Sequence, residues 1–202
     1  MGSRPKVVDV GDSIGSSECW VLSRYGEWME HGDHIALLRI GVTTTGGVWA
    51  DFGAGRGAFT LALADLLGPG AEIYAIDRDR GDLRRNADAL AARFHEVVSH
   101  YVVADFTRAI DLAVLDGLVM ANSLHFQPEQ RAVVELLRGY LRPGGRMLIV
   151  EYNIGRGNFA VPHPVPFERW ERLAAQAGFG HTELLTRRPS RTFAEIYSAA
   201  SW

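Results

Sequence analysis

Between Val48 and Leu67 the chain reads VWADFGAGRGAFTLALADLL. An apolar run leads into glycines at 53, 55 and 57, and a stretch of helical spacing follows. That order describes a buried strand turning sharply into a helix, with glycines where the backbone must bend and where a ligand can approach it closely. The same punctuation continues downstream. EIYAID reads as a second strand, followed by a helix from about Arg80 to His95, and HYVVAD as a third. LDGLVMAN is a fourth, followed by a helix from about Pro128 to Leu141 that ends at Pro143-Gly144-Gly145, and RMLIVEYN is a fifth. The Pro-rich loop VPHPVP leads into a helix over FERWERLAAQAGF, and HTELLTRR and TFAEIYSAAS form two last strands joined around Pro189-Ser190. Upstream, GDHIALLRIGV reads as a short helix with Asp33 as N-cap and Ile35, Leu38 and Ile40 on one side.

Alternating strands and helices require a mostly parallel sheet covered on both faces. The last connection is too short for a parallel crossover, so it closes an antiparallel pair. The expected fold is α/β: a Rossmann-like, doubly wound, seven-stranded sheet, mostly parallel, with a C-terminal antiparallel hairpin. Residues 1–20, rich in Gly, Ser and Asp, read as a loose N-terminal segment, and residues 21–202 as a single domain.

Composition excludes several classes. The 202 residues contain one cysteine, Cys19, so no internal disulfide or cysteine-cluster metal site forms, and a reducing cytoplasm fits. No run approaches the ~18 apolar residues of a membrane helix, and the start lacks a signal-peptide core. The net charge of −3, without a basic stripe, disfavours nucleic acid as a partner. The oligomeric state is not legible.

In a doubly wound sheet, ligands bind beyond the carboxyl ends of the strands, where strand order reverses. The five central strands end, in order, at Asp51 with the glycines, Asp77, Asp105, Asn122, and Glu151 to Asn153. Turn-forming residues of a purely structural loop set would rarely supply acids so regularly. Asp77, 24 residues past Gly53, suits two ribose hydroxyls. Gly53, Gly55 and Ala58 also satisfy the nicotinamide-type pattern G-x-G-x-x-G/A, so the glycines alone decide nothing. Asp51 would repel a pyrophosphate but welcome an ammonium group. Asp105-Phe106 offers an acceptor for an adenine amino group beside an aromatic ring. The ligand that fits is a nucleoside carrying a zwitterionic amino acid and no phosphate, S-adenosylmethionine.

The ordered set WADFGAGRGAF, IYAIDRD, VADF, ANSLHF and LRPGGRMLIVEYN resembles the class I S-adenosylmethionine-dependent methyltransferases, over about residues 34 to 199. Within them the chain resembles the small single-domain branch that includes the ubiquinone/menaquinone-type enzymes. The resemblance implies that Gly53, Gly55 and Asp77 hold the cofactor, that Asp105 and Phe106 lie at the adenine, and that Asn122 lies near the methionine part; the adjoining Ala54 and Arg78 are further candidates for cofactor binding. It implies methyl transfer to a small-molecule acceptor, leaving S-adenosylhomocysteine. Asn122-Ser123-Leu124-His125 departs from the Asn/Asp-Pro-Pro-Tyr/Phe run of enzymes that methylate nucleobase or glutamine nitrogens, which argues against those substrates.

Transfer from a sulfonium is an in-line displacement, so alignment and exclusion of water come first, and a base matters only for a nucleophile that must lose a proton. His125, on the loop beyond strand four, is the candidate base; alternatively it caps the next helix or bonds the backbone. Tyr152 is the second catalytic candidate. Asn153, Asn158 and His163, with Tyr25 and Trp28 from an N-terminal lid, are candidates for the acceptor pocket. Glu151 is equally suited to holding the neighbouring loop. HGDH, residues 31–34, has the spacing of half a metal site, but capping by Asp33 explains it better and no metal is expected. Three rivals stay open: a non-catalytic sensor or scaffold that keeps the cofactor cleft, another user of the same cofactor, and a nicotinamide-dependent reductase.

Overall fold

The computed structural model describes residues 29–190 and 192–202. Tyr25, Trp28 and the loose segment over 1–20 lie outside the described residues. In chain order the elements are α1 (His31–Leu38), β1 (Val48–Phe52), α2 (Ala58–Leu67), β2 (Glu72–Asp77), α3 (Arg80–Ala91), β3 (Val98–Val103), β4 (Leu115–Ala121), a 3-10 turn (Leu124–Phe126), α4 (Gln130–Arg138), β5 (Leu141–Tyr152), α5 (Phe167–Gln176), β6 (Thr182–Pro189) and β7 (Glu195–Ser201).

The seven strands form one sheet in the order β3-β2-β1-β4-β5-β7-β6. β1 pairs in parallel with both β2 and β4, and β7 runs antiparallel to both β5 and β6. Six strands therefore share one direction and β7 alone opposes them, the expected closing hairpin. Strand order reverses between β1 and β4, which fixes where a ligand crevice opens.

Side-chain alternation along the strands splits the core into two layers. Ala50 and Phe52 of β1, Leu118 and Met120 of β4, and Met147 and Ile149 of β5 pack against Val134 and Leu137 of α4 and Trp170 of α5. Trp49, Val119, Leu148 and Val150 face the other way, against Leu37 and Leu38 of α1 and Leu63 and Leu67 of α2. The same alternation turns Asp51 toward α2, where it is 1% exposed.

Element ends differ from expectation in instructive ways. α1 stops at Leu38, so Ile40 lies beyond it, 56% exposed, and the buried side is His34, Leu37 and Leu38. Its N-cap is Glu30; Asp33 sits at N3 and closes a capping box by accepting from the Glu30 backbone N–H at 3.2 Å. β5 begins at Leu141, ahead of the Pro143-Gly144-Gly145 break, because Leu141 pairs with Leu115 before the register shifts to Gly117 and Arg146.

Candidate functional site

The glycine turn is folded back onto the end of β2. Gly53 and Ala54 donate to the Ile76 carbonyl at 2.9 and 3.0 Å, and Gly55 N–H donates to Asp77 Oδ2 at 2.9 Å. Asp77 Oδ1 accepts from the Asp79 N–H at 2.8 Å, so its carboxylate is fixed in place at the strand end. Gly53 has φ +79°, and a Cβ there would lie 2.6 Å from Cβ of Ser123. Gly55, at φ +49°, faces open space. Ser123 in turn donates to the Phe52 carbonyl at 3.0 Å, tying the loop after β4 to the end of β1.

Where strand order reverses, a cavity of about 520 Å³ opens. Asp51, Gly53 and Ala54 from the β1 end and Ala121 and Asn122 from the β4 end form its floor. Asn122 is the one non-glycine at positive φ (+49°) among the described residues, and its buried Oδ1 has no partner among them. A strained residue with an unsatisfied acceptor at a cavity marks a place where a donor group is wanted.

Asp51 accepts from Thr60 Oγ1 at 2.6 Å, and Asn86 Nδ2 donates to the same hydroxyl at 2.9 Å. Burial pushes the Asp51 carboxyl up to about 7, with the Asp77 charge adding to the rise and the Thr60 hydrogen bond opposing it.

The upper walls come from α1 and the closing hairpin. Met29, Glu30, Asp33 and His34 face Tyr152, Arg188, Ser190 and Thr192. Arg188 Nη2 reaches Asp33 Oδ1 at 2.7 Å. Burial, with the Glu151 charge assisting and a Thr192 hydrogen bond opposing, keeps the Tyr152 phenol above its ordinary value, so it stays protonated at neutral pH. Arg56, also on the wall, pairs with Asp82 at 3.2 Å.

Beyond the cavity, β2 and β3 carry the next strand ends in sheet order. Phe106 reaches toward the turn, 3.5 Å from where a Gly53 Cβ would stand. Asp105 is exposed, and Thr107 hydroxyl and backbone N–H bonds hold its carboxyl below the ordinary value, helped by Arg108 and Arg78. Arg78 is exposed beside it, outside the cavity walls.

A family profile described as a methyltransferase domain matches residues 50–147. The chain carries a methyltransferase-type domain pattern over that stretch, just under half of its length. Among curated proteins it is 29% identical over 104 residues to the carboxy-S-adenosyl-L-methionine synthase of Shewanella frigidimarina, covering 50% of this chain and 42% of that one. It is 30% identical over 148 residues to a tRNA dimethylallyltransferase of Mycobacterium avium, covering 68% and 45%. The chain thus spans less than half the length of either relative. Among solved structures it resembles the YcgJ protein of Bacillus subtilis (TM-score 0.68, 9% identity, 85% of this chain and 98% of that one). It also resembles phosphoethanolamine N-methyltransferase 2 of Haemonchus contortus (TM-score 0.67, 15% identity, 87% and 53%), solved with phosphomonomethylethanolamine and S-adenosylhomocysteine. At these identities the structural likeness is one of fold.

In this chain several residues expected at the acceptor pocket lie elsewhere. Asn153 donates to Glu195 Oε1 at 2.6 Å and accepts from the Phe167 N–H, so it pins the end of β5 to β7 and to the first residue of α5. Asn158 accepts from the backbone N–H groups of Ala160 and Val161, closing its own turn. His163 is exposed; its backbone donates to the His125 carbonyl and accepts from Gln130. None of the three is on the cavity wall, because each is spent on bonds that hold β5, α5 and the proline loop in place.

His125 is 2% exposed, with Nδ1 2.6 Å from Glu151 Oε2, and it too is off the wall. Glu151 Oε1 accepts the backbone N–H groups of Leu124 and His125, so Glu151 does hold the neighbouring loop. Sequence reasoning missed Glu30, Asp33, His34 and Arg188 as cavity residues. His31 and His34 of HGDH diverge, His31 pairing with Asp65 at 3.1 Å and His34 packing edge-on against Phe59 at 4.8 Å. Among the described residues no group of three or more His, Cys, Asp or Glu could hold a metal, and no helix is long and apolar enough to cross a membrane.

Proposed function

We propose that this chain binds S-adenosylmethionine at the glycine turn and transfers its methyl group to a small-molecule acceptor seated in the cavity between α1 and the β6–β7 hairpin. The observation that carries this reading is the unsatisfied Asn122 Oδ1 on the same cavity floor as Asp51, next to a glycine turn in which Gly55 faces open space. An ammonium group satisfies such acceptors and a diphosphate would oppose them. When bound, the cofactor supplies a methyl group already activated by its sulfonium. The protein's task is then to orient and to exclude water.

In this reading Gly53, Ala54 and Gly55 cradle the amino-acid end, and Asp51 and Asn122 receive its ammonium. Asp77 takes the ribose hydroxyls, and Asp105 and Phe106, with Arg78 alongside, border the adenine. Tyr152 stands at the acceptor side as a hydrogen-bonding phenol. His125, bound to Glu151 and off the wall, acts through the loop it stabilises as a positioning residue. The lone Cys19 favours a cytoplasmic setting.

Isothermal calorimetry and thermal shift test the cofactor, and isotope-labelled S-adenosylmethionine with a small-molecule extract tests transfer. S-adenosylmethionine and S-adenosylhomocysteine should bind, each raising stability by about 2.7 kcal/mol at a hundred times its Kd, while NAD does not. Binding without label transfer would make the chain a sensor or a different user of the cofactor.

A further inference from the structure

Resting on that methyl-transfer reading, we propose that the imidazole of His34 accepts the proton released by the acceptor, and that the acceptor is a small neutral compound presenting a hydroxyl or thiol. His34 lies on the cavity wall and is 8% exposed, and neither ring nitrogen has a hydrogen-bond partner among the described residues. An imidazole nitrogen left without a protein partner at a cavity wall is available to bond to what fills the space beside it. Its plane is held edge-on to Phe59, 4.8 Å between centroids at 75°, so the ring is oriented before any acceptor arrives.

The other ionisable groups of the cavity are already engaged. Asp51 is bonded to Thr60, Arg56 to Asp82, and Arg188 to Asp33. Glu30 accepts the N3 backbone N–H of α1, and the Tyr152 phenol remains protonated. With both arginines paired, the Asp51 and Glu30 carboxylates hydrogen-bonded, and Met29 and Phe59 adjoining, the space beside His34 suits a neutral molecule rather than an anion.

The step balances simply. The acceptor oxygen or sulfur forms a bond to the methyl carbon as the carbon–sulfonium bond breaks and its electron pair returns to sulfur. The acceptor's proton passes to a His34 nitrogen, and the imidazolium later releases it to solvent. The titratable and charged groups around this ring are His31 and Asp33 from α1, with Glu30 at its N-cap, and across the same cavity Asp51 from β1, Arg56 from the glycine turn, Tyr152 from β5 and Arg188 from β6. Burial, then the neighbouring His31, holds His34 below 6.5 against the pull of Asp33, so the ring is neutral and basic where it is needed.

The test uses the whole chain, isotope-labelled S-adenosylmethionine and a deproteinised small-molecule extract as acceptor source, with total label transferred read from pH 5.5 to 8.5. His34→Gln keeps size and hydrogen bonding but cannot take the proton. It should lower transfer by about 100-fold, the low end of a general base's contribution, and lose the acidic limb below 6.5. Its S-adenosylhomocysteine affinity by calorimetry should stay within about threefold of wild type. His34→Ala, checked by circular dichroism for folding, should recover part of the rate with added imidazole. A His34→Gln enzyme keeping the wild-type rate and pH profile, or losing rate only through cofactor affinity, overturns the inference and leaves the methyl-transfer reading standing. A wild-type chain that binds S-adenosylhomocysteine but moves no label overturns both.

Discussion

Glu151 Oε2 lies 2.6 Å from His125 Nδ1, and the same carboxylate's other oxygen takes two backbone N–H groups of the loop that carries His125. Glu151 is fully buried and His125 nearly so. One side chain of β5 thus fixes both the ring and the backbone of the segment that follows Asn122. Breaking such a buried pair by truncation typically costs ~3–5 kcal/mol, because a polar group is left without its partner.

For Glu151→Ala the expected result is therefore a fall in Tm of roughly 6–20 °C, at ~2–4 °C per kcal/mol for a chain of this size. His125→Ala should keep S-adenosylhomocysteine affinity within about threefold while lowering label transfer, since it disturbs the loop rather than the cofactor floor. Calorimetry and transfer assays on the same preparation separate the two. Unchanged transfer in His125→Ala would remove any catalytic or positioning role for that ring.

Asp51 sets a pH dependence whose sign follows from its raised pKa. Folding lifts its carboxyl from the ordinary 3.8 to about 7, so the folded state holds a proton that the unfolded state has released. Between about pH 4 and pH 7 the Asp51 contribution to stability therefore declines as pH rises. Asp51→Asn should lack that decline, visible as a narrowing gap in urea midpoints toward acid pH. Binding runs the other way. If the ionised carboxylate receives the cofactor's ammonium, S-adenosylhomocysteine affinity should rise as pH rises through about 7, and Asp51→Asn should bind more weakly with that rise gone. Calorimetry from pH 6 to 8 checks both.

Much of the fold was legible because strand–turn–helix units are written locally. The Val48–Leu67 pattern and the short Pro189-Ser190 connection together specify a doubly wound sheet with an antiparallel closure. The floor of the cavity was legible for the same reason, since strand ends are fixed by strand positions: Asp51, Gly53 and Asn122 meet there. The walls were not. His34 and Arg188 are more than a hundred residues apart and meet only because α1 and the β6–β7 hairpin close over the same end of the sheet. Asn153 and Asn158 misled because a polar residue after a strand can serve a ligand or a turn, and which it serves is decided by tertiary hydrogen bonds.

Gly53 and Gly55 should respond differently to the same substitution. Alanine at either position takes a left-handed backbone that costs ~1–2 kcal/mol for an L-residue. At Gly53 the new methyl would also meet Cβ of Ser123 at 2.6 Å, so the turn must move away from the β4 loop. Gly53→Ala is expected to lower Tm by more than Gly55→Ala and to reduce S-adenosylhomocysteine affinity at least about tenfold. At Gly55 the methyl enters open space, so any loss of affinity there reports on ligand approach rather than on folding. Paired thermal melts and titrations distinguish these outcomes, and equal melting losses would show that the Ser123 contact does not hold the turn.

Arg188 and Asp33 join β6 to α1 across the wall of the cavity at 2.7 Å, with both side chains more than a third exposed. An ion pair so wetted adds at most ~1 kcal/mol to stability and is screened by salt. Arg188→Gln should accordingly change Tm by less than about 4 °C. Its effect belongs to the acceptor side, because the pair touches neither the glycine turn nor Asn122. Loosening it should raise the apparent KM for acceptor several-fold while leaving S-adenosylhomocysteine affinity unchanged, and raising ionic strength should move the wild type in the same direction. Loss of cofactor affinity in Arg188→Gln, with acceptor KM intact, would instead assign this wall to the cofactor and move the acceptor's place elsewhere in the cavity.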